Sequence, residues 1–297
     1  GAMSPVLAIA SSGLATLLAW PLTRWLGRGA GWPLAALYLL GAFALLSPLS
    51  LALSGMPTEV VRIPWVPARH WTLDLFADPT GLLFAMLALV IGAVVLIYSS
   101  SYLSGGEAHG DGRARTRGPQ HYGFFQLMTL FTVSMLGLVL TDSVLLLFVC
   151  WELTSLASFL LIARSGTSGE GASMRTLLIT GVGGLFLLAA VAAIVVRLGT
   201  TSLTEVLGSP VWADDPAFAT VVAVLVALAA FTKSAQVPFH VWLPDAMAAI
   251  TPVSAYLHAA AVVKAGIFLM LRMSPALRDV PAWQVLLVVG GLATAVV

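Results

Sequence analysis

The chain has 297 residues, of which 59% are hydrophobic and only 9% charged, and its mean hydropathy is +0.99. A soluble domain carries roughly 25% charged residues, so an ordinary soluble enzyme and a disordered tail are both excluded. The net charge of +1 leaves no basic stripe for nucleic acid, and the single Cys150 excludes a disulfide framework or a cysteine-based zinc site. The composition is that of a polytopic membrane protein.

Gly1-Ala2 ahead of Met3-Ser4 reads as a scar of tag removal (residues 1–3), and no basic n-region of a signal peptide follows it. A helix needs about 20 apolar residues to cross the hydrocarbon core. Such stretches lie at about 5–23, 31–52, 79–103, 122–141, 143–163, 176–196, 217–236 and 253–271, and a ninth begins near 282. All are expected to be helices, because the bilayer offers backbone groups no other partner. The alternation of a β-barrel is absent from runs such as Leu82-Leu83-Phe84-Ala85-Met86-Leu87. The last span carries no charge and stops at Val297, which suggests a longer natural chain.

Seven arginines fall in the odd-numbered connections (Arg24, Arg28, Arg113, Arg115, Arg117, Arg164, Arg175) and five in the even ones. The positive-inside rule then places the odd loops in the cytoplasm and the N-terminus outside. Residues 60–76 alternate apolar and polar around Pro67-Ala68-Arg69-His70. They read either as a β-hairpin or as an irregular loop anchored by interfacial tryptophans. Gly105 to Gly118 reads as a glycine-rich cytoplasmic turn.

Ionisable side chains at membrane depth are costly and point to function. Glu152 lies in the fifth span, Lys233 late in the seventh, and His258 and Lys264 in the eighth. The chain has twelve arginines but two lysines, and both lysines fall inside hydrophobic spans. Arginine cannot release its proton at accessible pH, whereas a buried lysine can. A lysine whose distance to Glu152 changes could therefore load and unload a proton; the alternative is a static ion pair that fixes helix packing. The stretch 217–249 would be roughly 48 Å as one helix, too long for a crossing. Pro238 predicts a break, with a first piece ending near Lys233 and a second around 239–249. Broken helices at this depth line protein or wet cavities and mark ion pathways.

His240, just past the break, is either a proton relay or a structural group. Asp142, in Thr141-Asp142-Ser143, is better explained as the N-cap of the fifth helix than as a relay. Asp245 is equally a cap or a proton-intake carboxylate. Gly181, Gly183 and Gly184 read as close helix packing. No nucleophile triad, metal motif or cofactor ligation pattern is present in the sequence, so no metal and no cofactor are expected.

The segments Trp151-Glu152-Leu153-Thr154-Ser155, Phe231-Thr232-Lys233-Ser234-Ala235-Gln236-Val237-Pro238-Phe239-His240-Val241-Trp242-Leu243-Pro244-Asp245-Ala246-Met247 and Thr251-Pro252-Val253-Ser254-Ala255-Tyr256-Leu257-His258 carry a resemblance. The sequence resembles the proton-translocating antiporter-like family, which includes the large membrane subunits of respiratory complex I and of Mrp-type Na+/H+ antiporters. With Val263-Lys264-Ala265-Gly266 it looks most like the N-terminal part of an Mrp A subunit. The resemblance covers about residues 72–275. It implies an all-α polytopic membrane protein of about nine transmembrane helices with the seventh broken. Helices 1–3 with the hairpin-like loop would span 4–120, one complete five-helix antiporter repeat (spans 4–8) would span 121–275, and a truncated second repeat would begin at 276–297. It also implies that Glu152 and Lys233 form a carboxylate–lysine pair and that His258 and Lys264 pass protons onward. The expected function is proton conduction in a multisubunit monovalent cation (Na+)/H+ antiporter of the bacterial plasma membrane, with other membrane subunits as partners. A proton-pumping subunit of a redox-driven complex and a non-transporting scaffold subunit are the alternatives.

Overall fold

In the computed structural model of the protein, residues 4–55, 60–66, 71–105, 119–165, 169–234 and 262–296 are described. The helices are α1 (Ser4–Leu26), α2 (Gly31–Leu53), α3 (Pro79–Gly105), α4 (Pro119–Leu140), α5 (Val144–Ser165), α6 (Gly169–Leu198), the short α7 (Leu203–Leu207) and α8 (Val211–Asp214), α9 (Pro216–Lys233), α10 (Val262–Leu277) and α11 (Pro281–Val296). Among the described residues seven helices are long and apolar enough to cross a membrane: α1 to α6 and α9. The chain is thus an all-α polytopic membrane protein apart from one hairpin. Large side chains such as Leu17, Phe43, Leu185 and Val196 face outward on these helices, as expected where the solvent is lipid rather than water.

The alternation around residues 60–76 does form a hairpin. Strands β1 (Val60–Val66) and β2 (Trp71–Phe76) pair antiparallel with Val60 opposite Phe76 and Ile63 opposite Leu73. The register shifts between Pro64 and Val66, where proline has no N–H to give to the ladder.

Helix α1 packs between α2 and α4, α2 leans on α3, and the chain continues α4–α5–α6–α9, with α10 and α11 against α9. Helix starts are built from local chemistry. Asp78 accepts from the Gly81 N–H at 2.9 Å ahead of α3, and Asp215 accepts from Phe218 N–H at 3.2 Å with Pro216 in the first turn of α9. Both use a carboxylate to satisfy donors that the first helical turn leaves unpaired.

The connection between α6 and α9 holds α7 and α8, which the hydropathy pattern does not announce. It is tied to the turn between α4 and α5. Asp142 N–H bonds to Asp74 O at 3.0 Å, Val144 N–H to Thr201 O at 2.9 Å and Leu203 N–H to Asp142 O at 2.6 Å. The end of β2, the 141–143 turn and the start of α7 therefore form one knot on the hairpin side of the bundle.

Asp142 occupies the centre of that knot, and this corrects the expected cap. Ser143 caps α5, accepting from Leu146 N–H at 3.3 Å. The Asp142 carboxylate, 2% exposed, instead accepts from Ser202 Oγ at 3.1 Å, from Thr204 N–H at 3.0 Å and from the Thr204 hydroxyl. Asp142 thus accepts from the first turn of α7, whose N-cap is Ser202. The cause is the tight two-residue turn, which directs the aspartate across the bundle end rather than along its own helix.

Candidate functional site

The site forms where α5, α6 and the end of α9 converge. Trp151, Thr154, Ser155 and Ser158 recur at helical spacing along α5 and are all buried. Glu152, one residue on from Trp151, is rotated about 100° around the helix axis and turns toward α6. There it meets Gly184, where any β-carbon would strike the carboxylate. Gly183, its neighbour, leaves the same kind of space for Thr232 of α9. The two glycines let α5 and α9 both crowd against α6, as small residues do in membrane helix packing. Gly181 has nothing near it and instead borders a cavity of about 370 Å³ that Glu152 lines with Phe148, Leu156 and Leu177. The half-buried Glu152 places its Oε1 out of contact with solvent and without a hydrogen-bond partner.

Lys233 is the last residue of α9, and its side chain is completely buried. Ser234 closes the helix by donating its N–H to Ala230 O at 2.9 Å. The lysine side chain reaches across to α5. Its Nζ donates to the Trp151 carbonyl at 2.8 Å and to the Thr154 hydroxyl, and it stands 4.4 Å from the centroid of the Trp151 ring.

Glu152 and Lys233 are thus brought to the same place but not into an ion pair. The residues facing the lysine are Trp151, one before Glu152, and Thr154, two after it. This departs from the expected carboxylate–lysine contact, and the reason is the rotation of Glu152 toward α6.

Lys264 lies half-buried in the first turn of α10. Two residues later Gly266 sits against the end of α9, where a β-carbon would meet Ala230 O and Ser234 N. Helix α10 is seated on the α9 terminus that carries Lys233. His240, Asp245 and His258 lie outside the described residues, as does the expected second piece around 239–249. Asp142 is at the hairpin-side knot, engaged by α7.

One charged constellation escapes the sequence reading. Arg272 of α10, 4% exposed, pairs with Asp78 through two nitrogens: Nη1 to Oδ2, and Nη2 to Oδ1 at 2.9 Å. Nη2 also donates to Val139 O at 3.1 Å, and the guanidinium lies 4.8 Å from the Phe268 ring and 5.2 Å from that of Phe76. The arginine joins the start of α3, the end of α4 and α10. In sequence it reads as one more cation near a span end. The available signal was an aspartate directly ahead of a helix-opening proline, but its partner is 194 residues away.

Among the described residues no group of histidine, cysteine, aspartate and glutamate could hold a metal ion.

These features define a polytopic helical membrane protein with ionisable side chains gathered between its spans. The profile described as NADH:quinone oxidoreductase/Mrp antiporter, transmembrane, matches residues 141–297, and the chain belongs to that family. It is 44% identical over 220 residues to the Staphylococcus aureus (strain MRSA252) protein named for antiporter subunit mnhA2, a match covering 73% of this chain and 26% of that one. In the structure of the Mrp complex from Dietzia sp. DQ12-45-1b one chain superposes with a TM-score of 0.83 at 51% identity, over 98% of this chain and 30% of that one. A chain of the archaeal membrane-bound sulfane sulfur reductase shares the fold, with a TM-score of 0.73 at 22% identity over 97% of this chain and 56% of that one. The chain spans about a quarter of the length of the curated relatives it matches.

Proposed function

We propose that this chain is a proton-conducting part of an Mrp-type A subunit, in a multisubunit antiporter that exchanges protons for Na+ or another monovalent cation across the bacterial plasma membrane. Its partners are other membrane subunits, and its N-terminus faces outward. The observation that carries the proposal is a fully buried lysine beside a glutamate whose inner oxygen has no partner. A carboxylate with an unpartnered oxygen at membrane depth is expensive. A scaffold would pair it or replace it with an apolar side chain.

In this reading Glu152 is the charge that biases Lys233, and Lys233 passes protons toward Lys264 and His258, with His240 and Asp245 on the approach. Helix α10, seated on the end of α9 through Gly266, brings Lys264 to the same end of that helix.

The test is pH-dye quenching in membrane vesicles that hold the whole complex, comparing wild type, Glu152→Gln and Lys233→Arg. Na+ dissipates the proton gradient in the wild type, and neither variant responds. Arginine keeps the charge but not the release of the proton; because it is also the larger side chain in a fully buried slot, its failure identifies proton transfer where the variant complex still assembles, checked by subunit co-purification. Full antiport in both variants makes the two residues structural. Acidification that needs an electron donor and ignores Na+ assigns the chain to a redox-driven pump.

A further inference from the structure

We propose that Trp151 and Thr154 are positioning residues that form a neutral cradle for the Lys233 ammonium and hold it apart from Glu152. The inference rests on the proton-conducting role of Lys233 given above.

An ammonium offers three N–H donors and accepts nothing. Here one meets the Trp151 carbonyl at 2.8 Å and another the Thr154 hydroxyl. The Trp151 ring, 4.4 Å from Nζ, serves the third through its electron-rich face. Thr154 is set for this role by its own helix: its hydroxyl donates to the Trp151 carbonyl at 2.7 Å, which leaves the oxygen lone pairs for lysine. Every partner of the ammonium is uncharged, and every one belongs to a fully buried residue. Desolvation of the lysine is therefore offset without Glu152, which is free to keep an unpartnered oxygen.

Among the described residues, the titratable groups that interact with Lys233 are Glu152 and Cys150 on α5, and α10 carries Lys264 in its first turn. Helix α6 contributes glycines at the contact with Glu152 and with Thr232 of α9, and α11 has no charged residue.

A neutral cradle has a consequence that a salt bridge does not. It stabilises the protonated lysine by hydrogen bonds alone, so its strength adjusts how firmly the proton is held without changing the charge of the site. Removing an acceptor releases the proton more readily. Thr154→Val keeps the shape of the side chain and deletes the hydroxyl, whereas Thr154→Ser keeps the hydroxyl.

The experiment measures Na+-driven dissipation of the proton gradient against pH in vesicles containing the whole complex, with assembly of each variant checked by subunit co-purification. The alkaline limb of the Thr154→Val profile is expected to move about one pH unit toward acid, the size of one hydrogen bond to a charged group. Trp151→Phe, which keeps a weaker ring face, moves it less in the same direction. Thr154→Ser restores the wild-type profile.

The proposal is overturned if Thr154→Val assembles and titrates as wild type. It is overturned equally if Thr154→Ser shifts as far as valine, because packing rather than the hydroxyl is then at work. Should Thr154→Val not assemble, Trp151→Phe decides alone: an unshifted profile overturns the cradle and a shift supports it. Loss of transport in Glu152→Gln and Lys233→Arg alongside unshifted Thr154→Val removes the cradle and leaves the proton-conducting role standing. Normal transport in Glu152→Gln and Lys233→Arg removes both.

Discussion

Two buried charged clusters in this chain solve the same electrostatic problem in opposite ways. Asp78 and Arg272 meet through two nitrogen–oxygen contacts, with Val139 O and two aromatic rings beside the guanidinium and its Nε left without a partner. Glu152 and Lys233 do not meet: the lysine is held by a carbonyl, a hydroxyl and a ring, and a glutamate oxygen is left alone. Arginine cannot give up its proton and suits a planar, two-pronged contact. Lysine is a compact charge on a flexible stem. The first cluster is built to stay together and joins three helices. The second keeps its carboxylate and its amine separate.

The largest expected effect comes from breaking the fixed pair. Arg272→Met takes the cation from the partly buried Asp78 carboxylate, which keeps only its Gly81 N–H, and is expected to cost about 3 kcal/mol, the lower end for breaking a buried pair, read as a lower melting temperature of the purified complex. Arg272→Met combined with Asp78→Asn removes both charges and keeps an N-cap for α3, so most of that loss should return. A double variant as unstable as the single one would mean that the charges themselves are not what matters.

An intermediate effect is expected at the glycine ledge. Gly184→Ala places a methyl group on the Glu152 carboxylate, and overpacking of this kind costs about 1–3 kcal/mol unless the side chain swings away. Melting and transport measured together separate these outcomes. A stable variant with impaired antiport means that the carboxylate has moved from its working position.

The smallest stability effect belongs to Glu152→Gln. The inner oxygen of Glu152 has no bond to lose, so its melting should stay within about 0.5 kcal/mol of wild type even though transport stops. A large destabilisation would make Glu152 a structural partner like Asp78 and erase the contrast.

Much of the architecture was legible in the sequence because membrane spans are written in apolar length. Most helices of the described region begin and end close to the hydropathy boundaries, whereas α6 starts at Gly169, ahead of the expected 176, and α10 runs on to Leu277, beyond the expected 271; α9 ends at Lys233, where the pattern placed the end of a first piece. The hairpin was visible in its alternation, although an irregular loop fitted the same residues. Gly183 and Gly184 were legible as packing residues but not as the space that receives Thr232 and Glu152.

What the sequence could not show depends on distance across the fold. Arg272 looked like a loop arginine because cations near span ends are ordinary, and only the fold brings Asp78 to it. Asp142 looked like a local cap because a carboxylate ahead of a helix usually is one. Helices α7 and α8 are too short and too mixed to stand out from a connection. The partners of Lys233 are a backbone carbonyl, a hydroxyl and an indole ring, none of which carries a charge that composition could flag.

The knot of Thr141-Asp142-Ser143 with β2 and the start of α7 has a mechanical meaning. Hydrogen bonds fasten the hairpin-side ends of α4, α5 and α6 to one another. A rod fixed at one end tilts only about that end. Tilting of α5 or α6 therefore leaves the knot still, and displacement grows with distance along the helix. Glu152 lies two turns into α5 and Gly184 four turns back along α6 from Leu198, so rotation about a shared pivot slides one past the other by a fraction of what the far ends travel. Any tilt of α5 or α6 about the knot is therefore smallest beside it and reaches the Glu152–Gly184 contact at only part of its full amplitude.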